Sequence, residues 1–99
     1  KLEVFVAGIN KVIRVPITQN QFDMLVSIAY NNGVDAIQKS TLVRHINNRL
    51  YQQASDEFPR WCRMKDPKTG LMIEVEGLKN RRKRERAIFL QRDPEGPAK

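Results

Sequence analysis

The sequence holds one cysteine and one histidine in 99 residues. A lone Cys62 cannot close an intramolecular disulfide or build a cysteine zinc cluster. With His45 as the only other soft ligand, no metal centre or cofactor is expected. No apolar run approaches the ~20 residues that a membrane-spanning helix requires. No signal peptide is visible, and the first residue is Lys1 rather than Met. Acidic residues are in short supply: 11 against 18 Lys and Arg, for a net charge of +7. That excess points to an anionic partner such as a nucleic acid, an anionic membrane or a cell-surface polymer. Most of it sits in one place. Residues 77–86, GLKNRRKRER, carry six bases against Glu85, a net of +5 that leaves +2 for all the rest. The length allows one small domain with a modest core.

Apolar spacing is mostly helical. In residues 1–15, Leu2, Phe5, Val6, Ile9, Val12 and Ile13 form one face, and Pro16 sets the end. Nothing caps Lys1, so this helix reads as entered in mid-course. Thr18 with Gln21 has capping-box spacing and opens a second helix. Its stripe is Phe22, Leu25, Val26, Ala29 and Tyr30, and Gly33 is its left-handed C-terminal residue. Ser40 caps a third helix with Leu42, Val43, Ile46 and Leu50 inward. A fourth carries Tyr51, Ala54 and Phe58, stopped by Pro59. Residues 62–76 change character: the turn chemistry of Asp66–Gly70 and the β-tolerant Met72, Ile73 and Val75 suggest a short hairpin. A last helix runs from about Leu78 to Leu90, with Leu78, Ala87, Ile88 and Phe89 apolar and Arg81 pairing with Glu85 on the surface. The tail, residues 92–99, has no anchor and is expected to fray. The reading is a mainly α lobe of four or five short helices with one hairpin.

Catalytic chemistry is hard to place in it. A Cys62 nucleophile would need His45 as its base, and the ordinary reading of His45 is a surface or half-buried residue. The carboxylates Glu3, Asp23, Asp35, Asp56, Glu57, Asp66, Glu74, Glu76 and Glu85 include no pair set in surroundings that would raise one pKa for acid catalysis. The basic helix has only Asn80 as a base reader and no interleaved aromatic, which argues against nucleic acid. The link 31–40 is long for a helix-turn-helix. A cluster that suits sugars is Tyr30-Asn31-Asn32-Gly33 with Arg60-Trp61, which combines flat apolar faces with amides and a cation. Composition alone favours the plainer alternative of a core Tyr, a capping Asn and a packed Trp.

Four spaced motifs decide what the chain resembles. They are VPITQNQFDMLVSIAYNNG from Val15, STLVRHIN from Ser40, Phe58-Pro59-Arg60-Trp61, and GLKNRRKRERAIF from Gly77. In this order they resemble the C-terminal lobe of phage-type lysozymes, the endolysins that cut peptidoglycan. The family pattern matches at Thr18 to Ser27, at Tyr30, Asn31 and Gly33, at Ser40 to Arg44, at Trp61, and at Gly77, Leu78, Arg81, Arg82 and Glu85. The resemblance implies a lysozyme-like helical lobe over residues 16–91, entered through the end of the inter-lobe connecting helix at residues 1–15. Residues 66–76 look longer than the usual link between the Trp and Gly-Leu.

The implied reaction is hydrolysis of the bond between N-acetylmuramic acid and N-acetylglucosamine in the host wall. The family's catalytic Glu, Asp and Thr lie in an N-terminal lobe with no counterpart in this sequence. Glu3 falls on the connecting helix and is not that acid. The chain alone is therefore expected to be inactive, with the other lobe supplied by the same gene or by a second chain, or with self-association covering the first helix. Tyr30, Asn31, Arg60 and Trp61 would line one wall of a glycan cleft, with Asn31 accepting the indole N–H. Lys79, Arg81, Lys83 and Arg82 would form an anion-binding patch beside it. The implied route is from the host cytoplasm to the periplasmic wall. The alternative from a different class is a non-catalytic cationic module that binds cell wall, anionic membrane or nucleic acid.

Overall fold

The computed structural model describes residues 2–91, with side chains from Glu3 onward. The apolar role given to Leu2 and the fraying tail at 92–99 lie outside the described side chains. Six α-helices and one hairpin follow in order: α1 Leu2–Val12, α2 Gln19–Asn32, α3 Val34–Gln38, α4 Thr41–Asn47, α5 Tyr51–Asp56, a 3-10 turn Phe58–Arg60, β1 Arg63–Lys65, β2 Met72–Glu74 and α6 Glu76–Phe89. The mainly helical reading holds. α2 is the central element, packed against α1, α3 and α6.

Helix α1 buries Ile9, with Phe5, Val6 and Val12 against the core, and Ile13 is buried just past its end. It ends at Val12, short of Pro16, because Asn47 takes over its terminal groups. The Asn47 amide donates to the Val12 carbonyl at 2.8 Å and accepts from the Arg14 N–H at 2.8 Å. Tyr51 adds a hydrogen bond from its hydroxyl to the Pro16 carbonyl at 3.0 Å. The two residues thus tie the end of α1 to the α4–α5 region.

The Thr18 capping box forms as its spacing requires: Thr18 Oγ1 accepts from the Gln21 N–H at 3.0 Å and Gln21 Oε1 from the Thr18 N–H at 2.8 Å. Gly33 has the positive φ anticipated for it, 103°, but ψ is 143°, outside the left-handed helical well. That conformation ends α2 and starts α3 at the next residue. The supposed link 31–40 therefore contains a helix, one too short and too weakly patterned to show in the sequence. α1 and α3 cross closely at Gly8, where a β-carbon would lie 2.5 Å from Val34 Cγ1.

Ser40 caps α4 through the Val43 N–H at 3.1 Å. The helix then stops at Asn47, and Leu50 leaves the predicted stripe. Arg49 adopts φ 62°. Its N–H reaches the Ile46 carbonyl at 2.8 Å and the Leu50 N–H reaches the His45 carbonyl at 2.9 Å, the paired closure of a Schellman end. Leu50 is turned out to solvent as a result. Tyr30 also departs from its predicted stripe: it lies on the outside of α2, edge-on to Phe5 at 5.5 Å between ring centroids. The inward position belongs to Ile28.

The hairpin pairs Arg63 with Glu74, Met64 with Ile73 and Lys65 with Met72. Asp66 and Gly70 close its turn, with the Gly70 N–H on the Asp66 carbonyl at 2.7 Å. α6 then returns across the lobe, and its Phe89 meets Phe58 at 5.1 Å between centroids. Its inner face corrects the expected one. Leu78 and Phe89 are buried, but Arg82 and Glu85 fill the positions between them, while Ala87 is exposed and Ile88 half-buried.

Candidate functional site

Asn32, Arg60, Trp61 and Arg63 meet around an open hollow of ≈ 450 Å³, bordered by α3, the start of α4 and the hairpin. Its other lining residues are Ala36, Lys39, Ser40, Thr41, Leu42, Glu57 and Met72. The volume lies in the range of small-ligand sites. Trp61 is held there because the 3-10 turn closes with its N–H on the Phe58 carbonyl at 3.0 Å, and Phe58 is wholly buried. Asn32 is fixed by donation from Nδ2 to the Arg63 carbonyl at 3.0 Å, and its Oδ1 has no partner among the described residues. Lys39, Arg60 and Arg63 outnumber Glu57, which lies 3.8 Å from Arg60. The hollow therefore combines an indole face, an amide and a cationic rim.

The four residues expected to form one wall separate into three places. Arg60 and Trp61 are together in the hollow. Tyr30 is against Phe5, at the α1 side. Asn31 does not receive the Trp61 indole: its Oδ1 accepts from Arg82 Nη2 at 2.6 Å and from Arg81 Nη1 at 3.2 Å. Asn32 belongs to the sugar-suited cluster read from the sequence but not to the wall of Tyr30, Asn31, Arg60 and Trp61. Lys39, Arg63 and Met72 are in neither, because they reach the hollow through the unseen α3 and the hairpin's pairing.

Behind Asn31 lies a buried polar network. Arg82 is wholly buried, and its Nε is 3.0 Å from Glu85 Oε1. Glu85 also accepts a hydrogen bond from Ser27 on α2. Arg82 Nη1 has no hydrogen-bond partner among the described residues. Burial pulls the Arg82 guanidinium below its ordinary pKa, and the charge of Glu85 opposes that pull. The network connects α2 to α6 directly behind the end of α2.

This burial changes the predicted basic patch. Leu78, Arg82, Glu85 and Phe89 share one helical face, so Arg82 is inside and unavailable to an external anion. Lys79 is paired with Glu74 at 2.8 Å, which raises the lysine's pKa and lowers the glutamate's. Arg81 leans on Asn31 and lies 4.0 Å from Glu85. Lys83 remains outward, next to Arg84. Arg86, at the far end, pairs with Asp56 at 2.5 Å and holds that carboxyl below its ordinary range. Among the described residues, no group of three or more His, Cys, Asp or Glu is gathered in a way that could hold a metal ion, and no helix is long and apolar enough to cross a membrane.

Comparison with known proteins gives a consistent result. The phage lysozyme family pattern matches residues 1–85. The endolysin of Bacillus phage PZA is 44% identical over 88 residues, which cover 89% of this chain and 32% of that protein. An endolysin structure from Escherichia coli O157:H7 phage FAHEc1 superposes with a TM-score of 0.84 at 40% identity, covering 91% of this chain and 56% of its own. The muramidase domain of SpmX from Asticaccaulis excentricus superposes with a TM-score of 0.80 at 31% identity, covering 92% and 60%. The chain thus spans between a third and about three fifths of these relatives.

Proposed function

The chain belongs to the phage lysozyme family, and from that premise we propose that it forms the glycan-facing lobe of a muramidase acting on peptidoglycan, with the general acid outside these 99 residues. The observation that carries this reading is the hollow. Trp61 offers a flat apolar face, Asn32 an amide and Lys39, Arg60 and Arg63 a cationic rim, which together suit a sugar strand bearing carboxylates.

The carboxylates support placing the acid elsewhere. Acid catalysis on a glycoside needs a carboxyl whose pKa is raised. Asp56 and Glu74 are displaced downward by Arg86 and Lys79. Glu85 is enclosed by Arg82 and Ser27 behind α2 rather than open to the hollow. The lobe that supplies the acid would sit against α1 and the hollow. In a phage setting the protein would be made in the host cytoplasm and act on the periplasmic wall.

Co-sedimentation with purified peptidoglycan sacculi tests the binding half of this reading. The chain should pellet with sacculi, and Trp61→Ala with Arg60→Ala should weaken that binding by about tenfold or more, as loss of an anchoring aromatic and Arg does elsewhere. Retention at full strength in the double variant would remove the hollow from the glycan site. Charge reversal at Lys83 and Arg84 with steep salt dependence would instead favour a purely cationic attachment.

A further inference from the structure

Residues 63–74 form an arm that is stitched to itself and only lightly tied to the lobe. Both strands are three residues long and exposed throughout, and they pack chiefly on each other. The turn satisfies its own polar groups. The Asp66 N–H donates to the Leu71 carbonyl at 2.8 Å, and Asp66 Oδ1 and Thr69 Oγ1 accept from the Lys68 and Leu71 N–H groups at 2.9 and 3.2 Å. Among the described residues, the arm's polar ties to the lobe lie at its base. The Val75 N–H donates to the Cys62 carbonyl at 2.9 Å, Asn32 Nδ2 to the Arg63 carbonyl at 3.0 Å, and Lys79 pairs with Glu74 at 2.8 Å in an exposed bridge. A two-stranded hairpin by itself is marginal in water, and a segment with so little buried apolar area opens at low cost.

The register sets which face such an arm turns to the hollow. Arg63 pairs with Glu74 and Lys65 with Met72, so these four share one side and Met64 and Ile73 the other. Arg63 and Met72 line the hollow. Lys65 lies on their side, nearer the tip than Arg63, and is exposed. We propose that the hairpin is a hinged arm that closes over the hollow and clasps a carboxylate-bearing glycan strand between Trp61 and its own Arg63, Lys65 and Met72. This rests on the reading of the hollow as the glycan site. Rotation about the base lays the flexible Met72 side chain on the sugar and adds Lys65 to the cations Lys39, Arg60 and Arg63. Asn32 belongs both to the wall of the hollow and to the hinge, so binding and arm position are coupled. The strand draws the arm shut to the extent that it contacts the closed arm better than the open one.

Hydrogen exchange read by mass spectrometry tests the closure. The probe is the disaccharide-peptide fragments that a complete phage lysozyme releases from sacculi. In the free chain the amides of residues 63–74 should exchange orders of magnitude faster than those of Leu25 and Ile28 in α2, and the fragments should slow them severalfold. Lys65→Ala with Met72→Ala should weaken fragment binding severalfold, whereas Met64→Ala, on the opposite side, should leave it unchanged. Three results would overturn the arm while leaving the glycan reading intact: hairpin amides as protected as α2 in the free chain, bound fragments that leave hairpin exchange unaltered, or Met64→Ala as damaging as the inner pair. Failure of the fragments to bind at all would overturn the glycan reading and the arm with it.

Discussion

Arg82 and Glu85 form an ion pair inside the lobe, 3.0 Å apart, with Arg82 wholly buried and Glu85 also bonded to Ser27 on α2. One turn of α6 thus turns two charges inward, to the end of α2 where Asn31 takes up Arg82 Nη2.

Removing one member leaves the other charged and enclosed, which typically costs about 3–5 kcal/mol. Arg82→Met alone and Glu85→Leu alone should each show a loss of that order in urea melts. The double replacement should recover most of it, because an apolar pair of similar volume avoids desolvating two charges. A double variant as unstable as the sum of the two singles would show that the pair is not coupled in this way.

Gly8 is required by the approach of α1 to α3. Ala at a helix interior normally gains about 1 kcal/mol over Gly. Here its β-carbon would lie 2.5 Å from Val34 Cγ1 on a stiff β-branched side chain. Overpacking costs of about 1–3 kcal/mol should outweigh that gain. Gly8→Ala is therefore expected to lower the melting temperature, and adding Val34→Ala should restore it.

Arg49 occupies the left-handed residue of a Schellman end, with φ at 62°. A non-glycine residue there carries a penalty of about 1 kcal/mol. Arg49→Gly should raise stability by somewhat less than that, because glycine also loosens the unfolded chain. Equilibrium denaturation of this variant beside wild type would register the gain.

Asp56 fixes the sign of one pH effect. Arg86 lowers its pKa in the folded state from the usual 3.8. The stability it contributes is present above the unfolded value and is lost as pH falls through the folded one. Stability should therefore decline below about pH 4, and Asp56→Asn should make that decline shallower. The pair is exposed, so added salt should shrink the difference between the two proteins.

Much of the frame was legible because local signals there are strong. The Thr18–Gln21 box, the Ser40 cap and the Asp66–Gly70 turn each specify backbone geometry through a side chain that can do little else. α3 was not legible: its five residues have no side-chain cap, and Gly33 serves as the boundary of two helices at once. Leu50 and Tyr30 fit the helical period, but the Schellman closure and the crossing of α1 decide where they point. For the candidate site, Arg60 and Trp61 lie together at the hollow as neighbours in sequence must, whereas Asn31 bonds Arg82 and Arg81 instead of the indole expected for it. The cause is the same as for the basic patch. Charged residues were read as facing water, and the positions 78, 82, 85 and 89 that make Arg82 and Glu85 internal became visible only with Leu78 and Phe89 placed in the core.

Clearing of permeabilised bacteria, followed by turbidity beside a complete phage lysozyme, tests most directly whether the proton donor lies outside this chain. The 99 residues alone should give no measurable clearing, since acid catalysis by itself contributes about 10²–10⁴ in rate and the rest of the cleft is also needed. Clearing by the purified chain that disappears on replacing one of its own carboxylates, such as Glu57→Gln at the hollow, would contradict that placement and put a catalytic acid within this lobe.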